Sequence, residues 1–214
     1  MIYELRTYTL SPGTQPEYLR LNRDVGRKIR GDKYGKLEGA WTTEFGTLNQ
    51  YVHLWSYPDL NERERLRQAL AKDAAWTKEY VPQIRPLILT QENKILAPVE
   101  GVPLTRPLGG GKHVYELRSY RLSPGKVPEW VGHFKTGLPA REKYSKIVGL
   151  WTTEAGLLNQ VVHLWAYNDL NHRAEVRSKT VQDPEWQAFL KKGYPLVVHM
   201  ESVVLMPTEV SPLD

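Results

Sequence analysis

The sequence predicts an α+β protein in which one β-α-β-β-α-β unit is written twice, its antiparallel sheets pairing into an α/β barrel. The first observation behind this is an internal repeat. Tyr3-Glu-Leu-Arg6, Tyr8 and Leu10-Ser-Pro-Gly13 return as Tyr115-Glu-Leu-Arg118, Tyr120 and Leu122-Ser-Pro-Gly125, an offset of 112. Gly39-x-Trp-Thr-Thr-Glu44, Val52-His-Leu-Trp55, Asp59-Leu-Asn61, Arg63, Arg67, Asp73 and Trp76 return at an offset of 110. A unit of about a hundred residues is therefore duplicated, and the two missing residues fall between Tyr18 and Tyr34. The second observation is that strand-like and helix-like hydrophobic periods follow one another in the same order within each copy.

Residues 2–10 alternate as a strand, which Ser11-Pro12-Gly13 ends. Residues 15–30 then place Tyr18, Leu21, Val25 and Ile29 at helical spacing. Residues 37–45 and 50–57 are two strands joined by the tight turn Gly46-Thr-Leu-Asn49. Asp59 caps the next helix, with Glu62 at capping-box spacing; His172 takes that place in the second copy and leaves its box incomplete. Asp183-Pro184-Glu185 opens a further helical turn, with proline where its missing N–H is harmless. Residues 87–96 and 197–205 are the closing strands. Between the copies, residues 99–112 hold three consecutive glycines and two prolines and are expected to be a linker joining domains 1–98 and 113–214. The element order is the ferredoxin-like arrangement, a four-stranded antiparallel sheet with helices on one face.

Composition narrows the function classes. Hydrophobic residues make up 41% and charged residues 25%, as in an ordinary globular protein. Cysteine is absent, which excludes thiolate catalysis, disulfides, iron–sulfur clusters and Cys-based zinc sites. The six histidines never occur at metal-ligand spacing, so neither a metal nor another cofactor is expected. The net charge of +5 is spread over both copies without a basic stripe, so no nucleic-acid partner is expected. Arg63, Arg65 and Arg67 alternate with Glu62 and Glu64, as on a solvated helix face. No apolar run is long enough to cross a bilayer, and MIYELRTYTL already alternates as a strand rather than as a targeting segment. A cytoplasmic protein with no membrane partner is the expectation.

Side chains alternate along a strand, so each sheet face can be separated. Glu4, Arg6 and Tyr8 share one face of the first strand, and Tyr3, Leu5 and Thr7 the other. His53, Trp55 and Tyr57 share one face of the third strand, and Val52, Leu54 and Ser56 the other. The second copy repeats both sets, with Glu116, Arg118 and Tyr120 and with His163, Trp165 and Tyr167. Small aliphatic side chains pack well under helices. The polar and aromatic sets are therefore expected on the face opposite the helices, lining the barrel interior. Buried there, they must pair with one another or bind something polar. Arg6 and Arg118 are candidate anchors for an anionic or carbonyl group, with Trp55 and Trp165 as aromatic walls. Glu4, Tyr8, Tyr57, Glu116, Tyr120 and Tyr167 complete the candidate ligand-binding set. His53 and His163 are the acid/base candidates, because imidazole titrates near neutrality. The same residue types also make a self-satisfied core network.

The motifs Tyr3-Glu-Leu-Arg-x-Tyr8, Gly39-x-Trp41, His53-Leu-Trp55-x-Tyr57-x-Asp-Leu60 with Arg63, and Asp183-Pro-Glu-Trp186 resemble the NIPSNAP family, within the dimeric α/β-barrel superfamily. Asp73-Ala-Ala-Trp76 departs from the last form in the first copy. The resemblance covers both copies and implies the ferredoxin-like fold and sheet-to-sheet pairing. A homo-oligomer is expected as well, with the repeats pairing either within one chain or between chains. It carries no established reaction. The superfamily includes cofactor-independent monooxygenases, lactone isomerases and haem enzymes that use the barrel interior. Two function classes follow: a small-molecule binder, with oxygenase or isomerase chemistry if it is an enzyme, or an interaction protein whose barrel is filled by its own side chains.

Overall fold

In the computed structural model, which describes residues 1–107 and 113–213, each copy folds in the predicted β-α-β-β-α-β order. The first copy runs β1 (Ile2–Leu10), α1 (Gln15–Leu21), α2 (Arg27–Arg30), β2 (Lys36–Phe45), β3 (Gln50–Tyr57), α3 (Leu60–Lys72), α4 (Val81–Ile84) and β4 (Ile88–Pro98). The second runs β5 (Val114–Leu122), α5 (Val127–Glu142), β6 (Ile147–Ala155), β7 (Gln160–Tyr167), α6 (Leu170–Gln182), α7 (Pro184–Gly193) and β8 (Val197–Pro207). Hydrogen-bonded strand neighbours follow the order β1-β3-β2-β8-β5-β7-β6-β4, an eight-stranded closed barrel.

Two compact units result, Met1–Ile95 with Met206–Asp214, and Leu96–Leu205. In the first, the chain after β8 lies on β2: Thr208 N–H donates to the Ala40 carbonyl at 2.9 Å, and Ala40 N–H to Ser211 Oγ at 3.0 Å. In the second, the chain after β4 lies on β6, with Val99 N–H donating to Leu150 O at 3.0 Å and Thr105 N–H to Val148 O at 2.8 Å. Val99 and Val102, from the expected linker, are buried in that unit's apolar core. Residues 108–112, the glycine-rich end of that linker, lie outside the described residues.

Helix ends follow the sequence. The Asp59 carboxylate accepts from Glu62 N–H at 2.8 Å, and Asp169 from His172 N–H at 2.7 Å. Glu62 does not complete the box, because its carboxylate pairs with Arg65. Asp183 accepts from both Glu185 and Trp186 N–H groups at the start of α7.

The face assignment is the main correction. The strand sets are separated as alternation requires, but the polar and aromatic set faces the helices. Tyr8, Trp55 and Tyr57 pack with Tyr18 and Leu21 of α1, with Tyr80 and with Ile84 of α4. In the second copy, Tyr120, Trp165 and Tyr167 pack with Trp130, Phe134 and Phe189. Tyr3, Leu5, Val52 and Leu54 occupy the opposite face and are as deeply buried. With both faces buried, burial of aliphatic side chains does not decide which face goes under the helices. The helices bring their own arginines, and these tip the balance by neutralising Glu4 and Glu116.

Candidate functional site

In each copy the site begins with a cross-strand pair. Register sets Arg6 opposite His53 and Glu4 opposite Trp55, and in the second copy Arg118 opposite His163 and Glu116 opposite Trp165. Glu4 is fully buried and accepts from Arg6 Nη1 at 2.8 Å, Arg63 Nη2 at 2.6 Å and Asn93 Nδ2 at 3.0 Å. Burial alone would raise its pKa. The Arg63 hydrogen bond and the charges of Arg6, Arg63 and Arg67 overcome this and lower it to about 2. Glu116 is held in the same way by Arg118 at 2.5 Å, Arg173 at 2.7 Å and Ser202 Oγ at 2.6 Å. Arg6 Nε donates to Tyr8 Oη at 2.8 Å, and Arg118 Nε to Tyr120 Oη at 2.5 Å.

Arg63 is thus not part of a solvated face. Its guanidinium turns inward onto Glu4, whereas Arg65, two residues on, is two-thirds exposed. Retention of Arg63, Arg67 and their counterparts at one offset was the available signal for this role.

The histidines are not the titrating groups expected. Trp55 Nε1–H donates to His53 Nδ1 at 2.7 Å, and Trp165 Nε1–H to His163 Nδ1 at 2.6 Å. Since Nδ1 accepts, the ring proton sits on Nε2, and each neutral histidine offers an N–H donor. Burial, reinforced by Arg6 and Arg30, pushes His53 well below its ordinary range, and burial with Arg118 does the same to His163. Among the described residues, neither Nε2 has a hydrogen-bond partner.

Arg30 completes the first site and was not a sequence candidate. Its guanidinium lies 3.4 Å from the centroid of the Trp55 ring, and its Nη2 donates to Tyr57 Oη at 3.1 Å. Arg141 repeats this over Trp165 at 4.2 Å, with Tyr167 Oη at 3.0 Å. The pair is hidden in sequence because its offset is 111, shared by neither flanking segment. From Tyr18 to Arg30 the chain takes 12 steps, and from Trp130 to Arg141 it takes 11. A wide π-helical turn at Asn22–Gly26 absorbs one extra residue, and the loop after α2 absorbs the other. A second π turn at Trp76–Tyr80 absorbs a third, so that Pro86-Leu87 and Pro195-Leu196 stand 109 apart.

Between sheet and helices of the first unit lies a cavity of about 490 Å³, within the range of small-molecule sites. Arg6, Arg27, Arg30, Arg67 and Arg85 line it, together with His53, Trp55 and Tyr8. No carboxylate is among the described residues that line it. Glu4, Glu116 and Tyr57 act instead as the support behind the arginines. Among the described residues, no cluster of three or more His, Asp or Glu could hold a metal, and no helix is long and apolar enough to cross a membrane.

Comparisons with known proteins agree with the architecture. The NIPSNAP family model matches twice, over residues 3–103 and 115–212. Human protein NipSnap homolog 3A is 34% identical over 216 residues, covering 100% of this chain and 86% of the relative. Zebrafish protein NipSnap homolog 1 is 32% identical, covering 100% of this chain and 77% of its own length. Among solved structures, a NIPSNAP domain protein from Burkholderia xenovorans is 42% identical over 46% of this chain and 98% of its own, with a TM-score of 0.45. A monooxygenase candidate from Fusobacterium nucleatum covers 97% of this chain and 92% of its own at a TM-score of 0.72 and 12% identity, a likeness of fold alone.

Proposed function

The chain belongs to the NIPSNAP family, and we propose that its first copy binds a small organic anion with an apolar body in the cavity between its sheet and helices. The observation that carries this is five lining arginines with no lining carboxylate. Of the five, Arg6 and Arg30 are buried, and Arg6 is paired with Glu4. Arg30 has no carboxylate partner among the described residues, and a buried cation so placed is costly unless an anion offsets it. Arg30 shows the cost: burial lowers its pKa, and its Nε has no partner among the described residues. Arg6, Arg30 and Arg67 are the anchors, His53 Nε2–H is a neutral donor to a ligand oxygen, and Trp55 is an apolar wall. The expected barrel-interior site is replaced by this helix-side one.

The same geometry favours binding over base-driven oxygenase or isomerase chemistry. A general base needs a free lone pair and a pKa near the working pH. His53 offers neither, since Trp55 occupies Nδ1 and burial holds the ring neutral.

Titration with 2-naphthoate, followed by its fluorescence, tests the proposal against the uncharged isostere 2-naphthylmethanol. Charge-assisted hydrogen bonds contribute about 1.5–3 kcal/mol, so the anion should bind roughly 10- to 100-fold more tightly. Equal affinity for the two compounds, or no binding of either, overturns it.

A further inference from the structure

We infer that the duplication has divided one site unequally: the first copy binds a single organic anion, while the second has closed its equivalent cavity with its own aromatic side chains. This rests on the anion-binding proposal above and adds which copy binds and how many ligands one chain takes.

The framework of the two sites is the same. Glu4 and Glu116, Arg6 and Arg118, His53 and His163, Trp55 and Trp165, and Arg30 and Arg141 make matching contacts. What differs is the layer that the helices lay over it. The shared helix-to-helix contact sets the alignment: a Cβ on Gly26 would fall 2.6 Å from the Tyr80 ring, and one on Gly137 2.7 Å from Phe189. Tyr80 therefore corresponds to Phe189, at the offset of 109 that also relates Pro86 to Pro195. Up to the first residue of the first π turn the offset is 112, so Tyr18 corresponds to Trp130 and Asn22 to Phe134.

Each of these replacements removes a polar group or enlarges an apolar one. Asn22 is short and is held to one side by Tyr80 Oη at 3.0 Å and Tyr51 Oη at 3.3 Å. In the second copy, Phe134 stacks on Trp130 with centroids 4.8 Å apart and reaches to 5.7 Å from the His163 ring. Phe189 then packs against both, at 5.5 and 5.6 Å. The cavity shrinks from about 490 Å³ to about 80 Å³, room for a few water molecules and below the size of a small-molecule site.

The charge changes in the same direction. Arg27 corresponds to Leu138 at the offset of 111, and Arg85 to Tyr194 at 109. The second site keeps Arg118, Arg141 and Arg177 in its lining and has lost the other two cations. It retains the frame that holds Glu116 and three lining arginines, and it lacks the volume and two of the five cations.

Calorimetric titration of 2-naphthoate into the full chain should give one site per chain. Arg30→Met should weaken binding at least tenfold, and Arg141→Met should leave affinity within twofold. Asn22→Phe/Tyr80→Phe, which copies the second site into the first, should abolish binding while near-UV circular dichroism stays native. Two sites per chain, or equal losses from Arg30→Met and Arg141→Met, overturn the division while leaving anion binding intact. Absence of binding by the unmodified chain overturns both. The stoichiometry needs no variant, so a misfolded substitution does not decide the outcome.

Discussion

Glu4 and Glu116 show what a buried charge requires. Each has no exposed surface, and each is surrounded by guanidinium groups and a neutral donor from the closing strand, Asn93 or Ser202. Removing the carboxylate strands the cations around it, which is costlier than never having buried the pair. Glu4→Ala should therefore cost about 3–5 kcal/mol in urea unfolding. Glu4→Gln, which keeps the shape and one acceptor, should cost less, and equal losses from the two would show that packing rather than charge dominates. Strand alternation made Glu4, Arg6, Tyr8, His53, Trp55 and Tyr57 legible as one face. It did not make legible which way that face points, because Tyr3, Leu5, Val52 and Leu54 opposite are just as buried. The cations that settle the matter come from helices whose own spacing looked like a solvated surface.

At the scale of elements, the repeat was legible wherever its offset stayed constant, which is along β1 and from β2 through α3. The helical segments around Asn22–Gly26 and Trp76–Tyr80 were harder, because a π turn adds a residue without adding a break in the pattern. Arg30 and Arg141 fell into that gap, and so did the pairing of Tyr80 with Phe189. In β2, the register shifts between Leu37 and Gly39, and β6 shifts at the same place between Ile147 and Gly149. A Cβ on Gly39 would lie 2.0 Å from the Trp41 ring, and one on Gly149 2.3 Å from Trp151. Both indoles are almost wholly buried, so they have no room to retreat. Gly39→Ala should cost about 1–3 kcal/mol as an overpacking change, read as a lower urea midpoint with an unchanged slope. The double variant Gly39→Ala/Trp41→Leu should recover part of that loss if the indole is the obstacle; no recovery would place the strain in the backbone.

For the molecule as a whole, the two copies carry the same titrating pattern and so should act together on acid stability. His53 and His163 are held neutral, with folded pKa values pushed down by burial and neighbouring arginines. In the unfolded chain a histidine protonates near pH 6.5. Below that point the unfolded state binds a proton at each ring that the folded state refuses. Stability should then fall by about 1.4 kcal/mol per pH unit for each histidine, and by about twice that for the pair. Glu4, lowered to about 2, and Glu116, lowered likewise by its arginines, stay ionised in the folded chain. An unfolded glutamate takes up its proton near pH 4.3. All four groups have depressed folded values, so the stability they contribute is present at neutral pH and lost toward acid, in two stages. Urea unfolding at pH 7.5, 5.5 and 3.5 measures both. His53→Gln/His163→Gln should flatten the fall that begins near pH 6.5 and leave the part contributed by Glu4 and Glu116, which begins near pH 4.3. Unchanged stability of the parent chain from pH 7.5 to 5.5 would mean that the histidines accept protons while folded. It would also return them to candidacy as acid/base groups, which their tryptophan-bound Nδ1 atoms now argue against.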